Sequence, residues 1–453
     1  MNKVKDFFKK IALFFKSLFV SVNGKEPKLL TALKKIGKFF KGLFVKVDDK
    51  NPGFARLYEK PATKSILASI ICILAGIFVG FIVMIILSFV TKEDTDAIGG
   101  LLTIFTGPFS SGTSAYIATN TGDMIFYSVP IILTGLSVAI AFKTGLFNIG
   151  APGQYLMGTM CSLLVALNVH TTTKFGMFAV WLLALIAGIL AGALWGAITG
   201  AFKALLNVNE VIVCIMTNWI AANIVSWVFS SCKSLINTNG GKTAYLVTTK
   251  TTGAYTPKIG LDKLFPGSYI DMGIIIAIVL AIIVYIILNK TVFGYELKAC
   301  GHNKDASKYA GMNEKRNIIL SMAIAGGLAA AGGALYYLNP GIEFNYKSAY
   351  VSLPEQGFNG IPVALLASSN PIGVIFSGLF MRYISVGGDN LTTYGFNRYV
   401  ANIIIALIIY FAGFTKLLID LLNKKRKSEK KSKNKSDTTT VKTASNEIVA
   451  GDK

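Results

Sequence analysis

From residue 65 to residue 419 the sequence returns repeatedly to apolar runs that approach the roughly 20 residues needed to cross a bilayer. A soluble core has no use for so many runs of that length. In hydrocarbon every backbone N–H and C=O must find its partner inside the segment, so such runs are helical. They fall at 65–90, 124–142, 153–169, 175–201, 211–231, 272–289, 317–338, 371–386 and 399–419, with a shorter piece at 357–367. Together they predict an all-α, polytopic membrane protein with about ten crossings. Composition agrees: 53% of residues are hydrophobic and 15% charged, with a mean hydropathy of +0.56, where soluble domains hold about a quarter charged residues.

Charge sets the expected orientation. Residues 1–64 hold sixteen Lys/Arg against five acids, and residues 421–453 hold ten against four. Lys and Arg accumulate on the cytoplasmic side of membrane spans, so both termini are expected inside and the number of crossings even. The basic balance flanks membrane spans, which makes nucleic acid an unneeded explanation. Three regions follow: a basic amphipathic extension over 1–64, a transmembrane domain over 65–420, and a basic tail over 421–453 whose lysine-rich composition predicts disorder. The extension repeats itself after 25 residues, with Lys10–Pro27 matching Lys35–Pro52 at eleven of eighteen positions. Apolar residues at 11, 14, 15, 18, 19 and 22, and again at 36, 39, 40, 43, 44 and 47, draw one helical stripe opposite lysines. Such helices suit the anionic inner leaflet, so membrane lipids are an expected partner.

Catalytic and metal signatures are absent. The five cysteines (72, 161, 214, 232, 300) show no zinc spacing, and His170 and His302 form no constellation. Gly241-Lys-Thr243 imitates the end of a phosphate loop, but Ile236 stands where the pattern needs glycine. No cofactor is expected on the chain itself. The predicted spans also contain no Asp or Glu, the usual mark of proton or sodium coupling; Glu210 sits at a span edge, and Arg382 lies toward the end of another, where it could line a pore. Energy must enter elsewhere, which argues against the ion-coupled secondary transporter that is the alternative class. The segment Asn289–Arg316, with six basic and three acidic residues between two spans, is the natural entry point.

Glycine and proline interrupt the apolar pattern twice, at Thr144-Gly-Leu-Phe-Asn-Ile-Gly-Ala-Pro-Gly-Gln154 and at Pro354-Glu-Gln-Gly-Phe-Asn-Gly-Ile-Pro-Val-Ala364. Broken helices at membrane depth survive where they line a cavity or are buried in protein, and paired interruptions point to a substrate path. Asn148, Gln154, Asn218, Trp219, Asn223, Phe358 and Asn359 are the candidate pathway residues, although amides within spans also serve as interhelix glue.

These residues resemble the permease subunits of bacterial ABC importers in the branched-chain amino acid, ribose and nucleoside class, and most of all the nucleoside permeases associated with surface lipoproteins. Four motifs carry the resemblance: Gly145–Gln154, Val208–Ala221, Gly294–Gly311 and Gly357–Leu366. Pro152 departs from a usual Glu, and Ala367-Ser-Ser369 from a Gly and a basic residue. The resemblance implies a type II-like importer fold with interrupted half-helices, a second permease subunit, an external substrate-binding lipoprotein, and cytosolic ATPases that hold the ATP and Mg. It implies that Gly301, Asp305, Ala306, Ser307, Tyr309 and Gly311 form the ATPase coupling loop. It implies nucleosides as cargo, with a simple sugar such as ribose as the alternative.

Overall fold

The computed structural model describes residues 61–91, 95–110, 112–232, 236–237, 242–243, 254–349, 351–397 and 399–414. The amphipathic repeat and the basic tail lie outside the described residues. The chain divides into two units, 1–71 with 415–453, and 72–414. Of the first, the described part is the leading portion of one helix. The second carries everything discussed below.

The described residues are helical almost throughout. In chain order they form α1 (Pro61–Thr91), α2 (Ala97–Thr106), α3 (Ser114–Lys143), α4 (Ala151–Asn168), α5 (Lys174–Leu206), α6 (Glu210–Ser231), the short antiparallel pair β1 (Ile236–Asn237) and β2 (Lys242–Thr243), α7 (Leu261–Leu264), α8 (Gly273–Lys290), α9 (Val292–His302), α10 (Lys304–Tyr309), α11 (Glu314–Tyr337), α12 (Tyr346–Ala349), α13 (Glu355–Leu366), α14 (Pro371–Asp389) and α15 (Tyr399–Ala412). Seven of the described helical segments are long and apolar enough to span a membrane: Ile70–Phe89, Ser114–Lys143, Lys174–Leu206, Glu210–Ser231, Gly273–Lys290, Glu314–Tyr337 and Pro371–Tyr394. The expected crossings at 153–169, 357–367 and 399–419 correspond to the shorter or more polar helices α4, α13 and α15.

The boundaries correct or extend the sequence reading in three places. The second long helix begins at Ser114 rather than 124, so Asp123 lies within a helix where the expected inventory of span acids was empty. The charged segment between α8 and α11 holds α9 in addition to the short helix, ended by Gly311, that its Ala306-Ser307 pair predicts. The segment left between the predicted spans 211–231 and 272–289, without an apolar run of its own, contains the β1–β2 pair and the one-turn α7.

The centre of the bundle is built on backbone contact. Gly188, Gly192, Gly196 and Gly200 recur every fourth residue on α5 and form one stripe. A methyl group added at Gly192 would lie 2.6 Å from the Gly326 carbonyl oxygen of α11; at Gly200 it would lie 3.0 Å from Ile319 Cα, and at Gly196 it would overlap the Met322 carbonyl. Lipid is as apolar as leucine, so membrane helices associate through such close packing and not through apolar burial. Around this pair α3, α4 and α11 enclose the largest apolar core, including Leu133, Leu136, Leu156, Leu163 and Leu335. A smaller core joins α1, α2, α14 and α15 through Met84, Ile104, Ile384 and Ile404.

At one end of the bundle, residues 254–272 strap across three helices. Trp181 Nε1 donates to Thr256 Oγ1 at 3.1 Å, and the Thr256 N–H donates to the Leu338 carbonyl. Asp271 accepts from Asn339 Nδ2 at 2.9 Å and from the Gly273 N–H at 2.8 Å, tying the start of α8 to the end of α11. Burial pushes the Asp271 carboxyl up to about 6, against the opposing pull of the two hydrogen bonds and of Lys258.

Candidate functional site

The first interrupted segment folds into a buried polar hub. After α3 ends at Lys143, the chain turns at Gly145, whose φ of 73° is the left-handed region that glycine enters freely. Residues 146–150 then carry Asn148 into the bundle, and α4 starts at Ala151 with Pro152 in its first turn, where a missing N–H costs nothing. Asn148 and Gln154 face each other as an amide pair. Asn148 Nδ2 donates to Gln154 Oε1 at 2.9 Å, and Gln154 Nε2 donates back to Asn148 Oδ1 at 3.2 Å. Asn148 also donates to Ser137 Oγ on α3 and accepts from the Gly150 N–H. Asn218 on α6 accepts from the Gly153 N–H at 2.9 Å and donates to the Ile149 carbonyl at 2.9 Å. All three amides are fully buried. Every bond links two different elements or closes the turn itself, so in this conformation the amides hold α3, α4 and α6 together.

The second interrupted segment meets the first. Gly357, in the first turn of α13, lies against Pro152: a side chain there would come 2.5 Å from Pro152 Cα. Thr134 Oγ1 of α3 donates to the Gln356 carbonyl at 2.8 Å, and Ser377 of α14 donates to the Val363 carbonyl at 3.0 Å. The paired breaks anticipated from glycine and proline are therefore neighbours in space. The departure at 152 places a rigid apolar ring at this junction. The departure at Ser368 and Ser369 leaves two consecutive non-glycine residues at φ of 51° and 54°, where α13 ends and the chain turns into α14.

The remaining pathway candidates lie on the surface. Trp219 and Asn223 are exposed on one face of α6, one turn apart, with Asn223 Nδ2 bonded to the Trp219 carbonyl. Phe358 is 37% exposed and Asn359 half-buried on α13. The seven candidates thus fall into a buried trio, Asn148, Gln154 and Asn218, and an accessible set, Trp219, Asn223, Phe358 and Asn359.

The charged connection from α8 to α11 is shaped by three caps. Thr291 accepts from the Gly294 N–H, Asn303 from the Ala306 N–H, and Asn313 from the Arg316 N–H, each satisfying a free donor at a helix start. Gly311, at φ 79°, ends the second helix, and the following Met312 N–H returns to the Ser307 carbonyl at 3.1 Å. Asp305, Ala306, Tyr309 and Gly311 face outward, Tyr309 with 94% of its surface free. Ser307, expected with them in the coupling loop, faces inward instead, its hydroxyl donating to the Asn303 carbonyl.

Gly301 joins this connection to the hub. It lies against the turn at Lys143–Gly145; a side chain would overlap the Lys143 carbonyl and sit 2.9 Å from the Gly145 N. Thr144, in the same turn, shares a 2.7 Å hydrogen bond with Ser321 of α11. The helices of the charged connection therefore press on the residue pair that launches Asn148. Sequence pattern named both glycines but gave no sign that they touch.

Residues 120–413 match the family described as branched-chain amino acid transport system / permease component. The chain is 34% identical to the nucleoside ABC transporter permease protein NupB of Lactococcus lactis, over 82% of this chain and 96% of that protein. It is 33% identical to the guanosine ABC transporter permease protein NupP of Bacillus subtilis, over 80% and 97% respectively. A second Lactococcus lactis permease, NupC, matches at 27% over 59% of this chain and 82% of its own length. No solved structure matches. Fold, interrupted helices and sequence together place the chain in the branched-chain amino acid transport system permease family, as a multi-pass subunit of an ABC transporter.

Proposed function

We propose that the chain is the membrane subunit of an importer that carries nucleosides across the cell membrane, driven by ATP hydrolysed on separate subunits. The observation that carries this is the near full-length similarity to two permeases named for nucleoside and guanosine transport. The exposed face of α9–α10, with Asp305, Ala306, Tyr309 and Gly311, is the surface an ATPase grips on the cytoplasmic side, where the charge rule also puts both termini. Pull on that face reaches the hub through Gly301 and the span α11 through Asn313. A second permease completes the pathway, as the NupB and NupC pair in one organism suggests, and an external lipoprotein delivers the cargo. Trp219, Asn223, Phe358 and Asn359 are the pathway surface in this reading.

The test is uptake of labelled nucleosides by vesicles holding the full importer. Accumulation that requires ATP and survives collapse of ion gradients supports the reading; accumulation that ignores ATP and follows an ion gradient overturns it. Competition by ribose but not by nucleosides would reassign the cargo to a sugar. Gly311→Asp, which puts a charged side chain at a left-handed turn, is expected to abolish copurification of the ATPase; unchanged copurification removes the coupling surface.

A further inference from the structure

Arg382 on α14 is a guanidinium within a membrane helix, and its polar contacts are incomplete. Its Nε is buried and has no hydrogen-bond partner among the described residues. Its closest described carboxylate oxygen, on Asp389, is 4.0 Å from Nη2, beyond hydrogen-bond length. What it does have is an aromatic floor. The guanidinium carbon sits 4.7 Å from the centre of the Tyr127 ring on α3. Tyr336 of α11 and Tyr269 of the strap lie beside that ring, with centroids 6.0 and 6.3 Å from it, and Phe126 stacks on Tyr336 at 5.5 Å. Asp123 stands one turn before Tyr127 on α3 and accepts from the Tyr269 N–H at 2.8 Å. The group is partly open: Tyr269 is 38% exposed, the Arg382 side chain 23%, and Tyr127, Tyr336 and Asp123 are half-buried.

This set suits a particular ligand. An arginine held over an aromatic ring still carries all its N–H donors in the guanidinium plane, free to point past the ring. A flat ligand bonded to those donors then meets the adjoining rings of Tyr269 and Tyr336, turned 71° and 50° from that of Tyr127, in edge-to-face contact, an arrangement aromatic rings favour. Arginine donating in a fork matches the O6 and N7 acceptors of a 6-oxopurine, whereas adenine presents an amino group at position 6. The Asp123 carboxylate suits the N1–H on the neighbouring Watson–Crick edge of the same 6-oxopurine, on the other side of O6. A guanidinium in an apolar helix whose Nε has no partner among the described residues marks a candidate functional site.

We propose that Arg382, Asp123, Tyr127, Tyr269 and Tyr336 form a base-reading station that selects 6-oxopurine nucleosides over adenosine. This rests on the nucleoside reading above and names the class of base. The test measures initial uptake of labelled guanosine, inosine and adenosine by vesicles carrying the complete importer with an unaltered lipoprotein. Each variant rate is divided by the wild-type rate for the same substrate, so selection by the lipoprotein cancels. Arg382→Lys keeps the charge and loses the planar fork; the expected result is about a tenfold fall for guanosine and inosine with less than about a twofold change for adenosine. Asp123→Asn, which keeps an acceptor for the Tyr269 N–H, is expected to lower the same two substrates and provides the reading if the lysine variant does not reach the membrane. Equal losses for all three nucleosides, or no change in any, overturn the station. Wild-type vesicles that take up no nucleoside overturn the transport reading instead.

Discussion

Replacing Asn148 with alanine decides whether the hub is a joint or a lining. The side chain makes four hydrogen bonds with nitrogen and oxygen groups, two with Gln154 and one each with Ser137 and the Gly150 N–H, and a long one from Cys214 Sγ at 4.0 Å. Interhelix hydrogen bonds in membrane proteins average about 0.6 kcal/mol, so their simple loss is near 2 kcal/mol. The Gln154 amide and the Gly150 N–H would also be stranded without water, and a stranded buried group costs about 1–3 kcal/mol, which raises the expected loss to about 4 kcal/mol. Removing both members of the amide pair, Asn148→Ala with Gln154→Leu, strands less. The double variant is therefore expected to be more stable than the two single losses added together, by about 1 kcal/mol, the size of the two bonds they share. The assay is thermal stability of the detergent-solubilised importer, followed by fluorescence-detected gel filtration, with ATP-driven uptake measured in parallel. A joint predicts that stability and uptake fall together in Asn148→Ala and recover together in part in the double variant. If Asn148→Ala keeps its melting temperature while uptake collapses, the amide faces the cargo and the reasoning fails.

Other outcomes follow from the same structure. Ser368→Gly is expected to raise stability by about 1 kcal/mol, because a non-glycine residue in the left-handed region costs roughly 1–2 kcal/mol; a fall in melting temperature would contradict the turn described. Asp271 holds its proton more tightly in the folded protein than in the unfolded chain, so stability is expected to decline by up to about 3 kcal/mol as pH rises from about 4 to above 6, and to level off beyond. Asp271→Asn should flatten that slope in a pH series of melting curves. Gly301→Val, which forces α9 away from the Lys143–Gly145 turn, is expected to leave the importer assembled with its ATPase but to cut uptake at least tenfold; wild-type uptake would show that the contact transmits nothing.

Much of the fold was legible because the bilayer imposes one strong rule. Apolar length located α1, α5, α6, α8 and α11 to within a few residues, except at the start of α1 and the end of α5. It failed at α3, whose first ten residues carry Ser, Thr, Asn and Asp and read as an exposed segment, yet continue the same helix past Asp123. The two breaks were visible because glycine and proline have fixed backbone preferences. Their contact at Pro152 and Gly357 was not, since the two segments are some two hundred residues apart in sequence. The amide hub was half legible: pattern singled out Asn148, Gln154 and Asn218 but could not tell a hydrogen-bonded joint from a pathway wall, a distinction that depends on what each amide touches. The four-residue glycine spacing of α5 was in plain view and required only that small residues be read as a contact surface. Arg382 stood out as a lone charge, while its tyrosine floor comes from three separate elements that only the folded chain assembles.

The glycine stripe has a mechanical consequence. Because α5 and α11 meet at backbone distance along the glycine stripe, with little more than small side chains such as Ala330 and Ala334 between them, they behave as one stiff beam. Its near end is set directly on Asn313, two residues past the turn at Gly311. Its far end carries Tyr336, about 35 Å away at 1.5 Å per residue. A tilt imposed where an ATPase grips would arrive at the tyrosines undamped, so the chain needs no relay of small rearrangements to tell one face of the membrane what has happened at the other.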